Sequence, residues 1–85
     1  MDMDACVDLA DYLNYLGVER GMSKNSVLAY GRDLKRFLAH LKKRKLEIAD
    51  VRDETVHDHM ADVQRSGIST RSAARALSAI KSFFR

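Results

Sequence analysis

Apolar residues recur at three- and four-residue steps along four stretches of the chain, the periodicity of an amphipathic helix. Cys6, Leu9, Leu13 and Leu16 mark the first, predicted over residues 4–20. Asp4 is placed to cap its start and Gly21 to supply a left-handed residue past its end, while Gly17 weakens the last turn. Ser23 is a natural N-cap for a second helix over 24–43, whose stripe is Val27, Tyr30, Leu34, Phe37, Leu38 and Leu41. A connector over 44–52 follows, with Leu46, Ile48 and Val51 expected to tuck into the core. The third helix starts at Asp53, carries Val56, Met60 and Val63, and ends by Gly67. Ser69 then caps a fourth from Thr70, with Ala73, Leu77, Ile80 and Phe84 on one stripe widened by Ala76 and Phe83. No stretch alternates with period two long enough for a strand, and there is no proline. The pattern predicts an all-α chain, a compact four-helix bundle forming one domain over 1–85. The last helix runs to Arg85 without a stop signal, as expected of a piece of a longer chain.

Composition narrows the classes without choosing one. With 85 residues, 46% of them hydrophobic, there is room for one thin core and none for separate catalytic and cofactor domains. A single cysteine excludes an intrachain disulfide and a multi-cysteine zinc site, and it suits a reducing cytoplasm. No apolar run reaches membrane-spanning length, and the acidic start Met1-Asp2-Met3-Asp4 is no secretory signal.

The formal net charge of +3 conceals a sorting by segment. Residues 1–22 hold five acids and one base, and residues 47–66 six acids and two bases. Residues 23–46 hold eight bases and one acid, and residues 67–85 four bases and no acid. Helices one and three are therefore acidic, helices two and four basic, and the expectation is a one-sided basic surface. Placed at about 100° per residue, Asn25, Arg32, Arg36 and Lys43 fall opposite the apolar stripe of helix two, with Ala29 beside them leaving room for close approach. On helix four, Arg71, Arg75, Ser78, Ser82 and Arg85 form one row. A charged face normally meets only water. Here the fourth-helix row lacks the acidic partners that salt-bridged surface helices usually carry and prefers arginine, whose planar fork suits phosphate and guanine. The starts Ser23-Lys24-Asn25-Ser26 and Ser69-Thr70-Arg71-Ser72 add helix amides and hydroxyls, a phosphate-binding combination. The candidate DNA-binding residues are thus Lys24, Asn25, Ser26, Arg32, Arg36, Lys43, Arg71, Ser72, Arg75 and Ser78. The run Lys42-Lys43-Arg44-Lys45 fits equally a helix C-terminus favoured by the dipole and a set of backbone contacts.

Other chemistries find little support. Tyr12, Tyr15 and Tyr30 are read as packing residues rather than nucleophiles. His57 and His59, two apart, cannot share a metal as an i, i+4 pair does, and with His40 they are expected on the surface. Glu54, Asp58 and Asp62 form an acidic stripe that repels DNA, and a divalent-ion site there lacks a closing ligand. No phosphate loop, nucleotide fingerprint or serine–histidine–acid set is present. No catalytic residue, cofactor or metal is expected.

Two strings then carry a resemblance. Glu19-Arg20-Gly21-x-Ser23-x-Asn25-Ser26, followed by Tyr30, Asp33-Leu34, Phe37 and Leu41, resembles the N-terminal domain of Xer-type tyrosine recombinases and phage integrases. So does Ser72 leading to Arg75-x-Leu77-Ser78-Ala79-Ile80-Lys81-Ser82-Phe83-Phe84. The match runs from about Ala5 to the last residue, and Ser26 stands where the family motif usually has threonine. The resemblance implies a SAM-like core-binding domain, one half of a clamp on duplex DNA. Its second and fourth helices enter the major groove, and its first helix touches neighbouring recombinase protomers. It also implies that the nucleophilic tyrosine and its activating residues belong to a catalytic domain expected after Arg85, so the isolated chain should be monomeric and should not cleave DNA. Two rivals differ in class: a SAM-like protein interaction module pairing acidic with basic helices, and a dimeric helix-turn-helix regulator.

Overall fold

A computed structural model describes residues 2–84, with side chains from Leu9 to Phe84. Four helices follow one another, α1 (Asp2–Val18), α2 (Lys24–Lys43), α3 (Asp53–Arg65) and α4 (Thr70–Phe83), and a single turn of 3-10 helix at Ile48–Asp50 interrupts the connector before α3. There is no strand among the described residues. The start of α1 lies two residues ahead of the expected cap, and the side chains of Asp4 and Cys6 lie outside the described residues, as does Arg85.

The chain ends its helices where the sequence chemistry says it should. Past α1, Gly21 takes φ 63° and the Met22 amide donates back to the Leu16 carbonyl at 3.0 Å. Gly67 does the same service after α3 with φ 87°. Past α2 the left-handed residue is Lys45, φ 59°, where glycine is usual. The Lys45 amide donates to the Lys42 carbonyl at 3.0 Å and the Leu46 amide to Leu41 at 2.8 Å. That is a Schellman motif, and its trailing Leu46 packs onto the core. At the opposite ends, Ser23 Oγ accepts from the Ser26 amide at 3.2 Å and Ser69 Oγ from the Ser72 amide at 3.1 Å.

Phe37 of α2 is fully buried and stands at the centre. Leu9, Leu34, Leu41, Ala79 and Ile80 surround it, and the ring of Phe84 meets it edge-on at 5.7 Å. Burying a side chain of this size contributes about 2–3 kcal/mol. Helix α2 packs against both α1 and α4, and α3 packs against α4. Small residues line the α4 side of this core: Ala73, Ala76 and Ala79 are all buried, as is Ala29 of α2. Ala29 therefore serves packing and not the approach of a ligand. Tyr12 of α1 ties the first helix to the last, donating its hydroxyl to Ser82 Oγ and setting its ring edge-on to Phe83 at 5.3 Å.

Two histidines expected on the surface are inside. His59 is 3% exposed, and His40 is largely covered. His59 lies three residues after Val56 and four before Val63, so it shares their stripe and faces Phe37 edge-on at 5.0 Å and His40 at 4.9 Å. Only His57 stands in solvent.

Candidate nucleic-acid interface

The basic helices are joined by their one buried acid. Asp33, the single acid among residues 23–46, is 1% exposed on α2. Its Oδ2 accepts from Arg75 Nε at 2.7 Å and its Oδ1 from Arg75 Nη2 at 3.0 Å. The bond to Asp33 holds the Arg75 guanidinium firmly in its charged form, more than burial opposes it. This corrects the picture of Arg75 as an outward donor without an acidic partner. It sits at the edge of the α2–α4 seam, its side chain 38% exposed. Ser82 is corrected likewise, since its hydroxyl receives the Tyr12 bond and is half-buried.

The remaining candidates flank this bridge. On α2, Asn25, Arg32 and Arg36 are exposed along one row, with Lys43 further on in the same row. Arg36 lies one turn past Asp33. On α4, Arg71 lies one turn before Arg75 and Ser78 one turn after, both exposed. Lys81 continues that exposed face and was not singled out from sequence, although its spacing from Ser78 was visible there. Lys24 departs from the rest: it is exposed but lies about half a turn around α2 from Asp33, on the side of Leu28 and Lys35. Among the described residues, Arg32, Arg36, Lys43 and Arg71 make no ion pair, whereas Arg65 on acidic α3 is paired with Asp62.

Ser26 and Ser72 are half-buried and already engaged. Each gives its amide to the capping serine, and the capping hydroxyl donates in turn to the Ser26 and Ser72 hydroxyls at 3.0 and 3.1 Å. The two helix starts thus carry the same closed Ser-x-x-Ser unit. It leaves the amides at the first two positions of each helix without intrahelical partners.

The acidic helices contribute a different arrangement. Asp62 bonds Arg65 and lies 3.6 Å from His40 Nδ1, and the Arg65 bond holds its carboxyl below the ordinary range. Glu54 and Asp58 are exposed. No three histidine, cysteine or carboxylate side chains among the described residues are grouped to hold a metal ion. No helix among them is long and apolar enough to cross a membrane.

Comparison with known proteins fits this layout. Residues 9–85 match the model of the phage integrase N-terminal SAM-like domain. A tyrosine recombinase XerD of Staphylococcus haemolyticus is 33% identical over 76 residues, 88% of this chain and 26% of its own length. A XerD of Rickettsia conorii is 37% identical over 76 residues, 89% of this chain and 25% of its own. A XerC of Methylobacterium nodulans is 40% identical over 81 residues, again 89% and 25%. The chain thus spans about a quarter of the length of these relatives. No solved structure matches.

Proposed function

The chain belongs to the phage integrase N-terminal SAM-like family, and on that premise we propose that it is a single domain that binds duplex DNA on behalf of a tyrosine recombinase. The observation that carries this reading is the contrast between helices. Arg32, Arg36 and Lys43 of α2 and Arg71 of α4 stand exposed and make no ion pair among the described residues, around a seam those two helices share. Such a set contacts phosphates and base edges in the cytoplasm, where recombining DNA lies. The strand-cleaving chemistry belongs to the rest of the recombinase, and this domain positions the site for it. Neighbouring recombinase protomers are its other partners. Tyr15, Val18 and Leu28, large apolar residues left 44%, 71% and 55% exposed, suit such contacts.

The test is binding of the 85-residue chain to a mixed-sequence duplex, with R36E/R71E as the variant. Both arginines are exposed and outside the buried bridge, so helicity should persist while affinity falls more than tenfold. Affinity of the parent chain should also fall with salt, by about 0.9 log unit per log unit for each neutralised phosphate. Unchanged retention of R36E/R71E, or a flat salt response with concentration-dependent self-association, would replace the DNA reading by the protein interaction module.

A further inference from the structure

The geometry points to Asp33 as a positioning residue for DNA recognition, holding Arg75 so that the free end of its guanidinium presents a fixed pair of donors to paired acceptors on the duplex. This rests on the DNA-binding reading above and adds to it a specific role for a buried acid that touches no DNA itself.

A guanidinium has five N–H donors in a rigid plane. Asp33 takes two, from Nε and Nη2, along one edge. The other three include one hydrogen on each terminal nitrogen, the end-on fork. No protein acceptor meets that fork among the described residues, and the side chain is partly exposed while its carboxylate partner is wholly enclosed. The end-on fork fits two acceptors side by side, either O6 and N7 of guanine or two oxygens of one phosphate. An unsupported arginine must order several torsions on binding, whereas this one is ordered beforehand. Its neighbours one turn away on α4, Arg71 and Ser78, are exposed donors on an adjoining face. Stability alone does not require the pair, since buried ion pairs are often replaced by apolar residues without loss.

Net charge and positioning predict opposite signs, which makes the inference testable. Removing a negative charge by D33N should tighten binding to a polyanion if only net charge matters. If Asp33 orients Arg75, D33N should weaken it, by about three- to tenfold. Affinity for a mixed-sequence duplex would be measured by fluorescence anisotropy across a salt series for D33N, R75K and D33L/R75M, with thermal melts alongside. R75K keeps the charge and loses the fork. D33L/R75M replaces the pair by apolar side chains and is the variant expected to stay folded. Both should lose about tenfold or more. A salt slope lowered by about 0.9 in D33L/R75M assigns the fork to phosphate, and an unchanged slope with lost affinity assigns it to a base edge. Folded D33N binding as tightly as the parent, or folded D33L/R75M with unchanged affinity and slope, overturns the inference. If R36E/R71E loses binding in the same assay, the DNA reading survives that outcome; if it too is unaffected, both fall.

Discussion

Asp33 and Arg75, 42 residues apart in sequence, form a two-point bond in which the carboxylate is enclosed and the guanidinium is partly wet. The asymmetry sets the consequences of breaking it. Loss of Arg75 strands a carboxylate with no route to water. Loss of Asp33 leaves a long cation able to swing outward. R75A should therefore destabilise the domain by about 3 kcal/mol or more, and D33A by about 1–2 kcal/mol. Urea denaturation followed by circular dichroism measures both, and equal losses would contradict the asymmetry.

His59 offers a stabilising change. Both its ring nitrogens are buried without a hydrogen-bond partner. It shares the stripe of Val56 and Val63 and faces the Phe37 ring, so H59L should raise stability by about 1 kcal/mol. A lower melting temperature for H59L would show that the ring's contacts with Phe37 and His40 outweigh its unmet polar atoms.

The same residue predicts a loss of stability in acid. Burial, with the charges of His40 and Arg36 added and Asp62 opposing, pushes the His59 imidazole down from 6.5 to about 4. Its folded value lies below the unfolded one, so the unfolded chain takes up the proton first. The contribution is complete above pH 6.5 and is lost as pH falls toward about 4. It amounts to about 3 kcal/mol. Melting temperatures across that range should decline for the parent chain and decline less for H59L.

The two serine caps are equivalent and independent. S23A and S69A should each destabilise by about 1 kcal/mol, and the double variant by about 2 kcal/mol, because the caps sit on different helices. A double variant no less stable than either single one would mean the two helix starts are coupled.

Lys45 occupies a position where a Cβ is a liability. K45G should stabilise the end of α2 by about 0.5–1 kcal/mol, since it relieves the left-handed strain and leaves both Schellman bonds in place. Chemical denaturation reads the gain, and a loss would show that the lysine side chain holds the turn by a contact of its own.

Helix boundaries were legible because caps and breakers are local: Ser23 and Ser69 cap their helices, Asp53 stands as the first residue of its own, and Gly21 and Gly67 close theirs. The burial of His59 was legible in principle too, from its register with Val56 and Val63, but a titratable side chain masks an apolar position. Arg75 was misplaced for a different reason. Its row on α4 lies beside the buried stripe, and helical periodicity does not reveal that an acid on another helix will meet it. The signal lay in Asp33 itself, a lone acid in a basic segment next to Leu34.

The pattern of helix contacts carries a kinetic consequence. Helices α1 and α2 pack across a short turn, and so do α3 and α4. Each pair is a local hairpin whose closure requires little chain entropy. The seam between α2 and α4 must instead draw together segments separated by the whole connector and α3. Assembly of this domain thus reduces to two quick local events and one slower docking search, and the rate of that search should respond to changes in the seam far more than to changes at either turn.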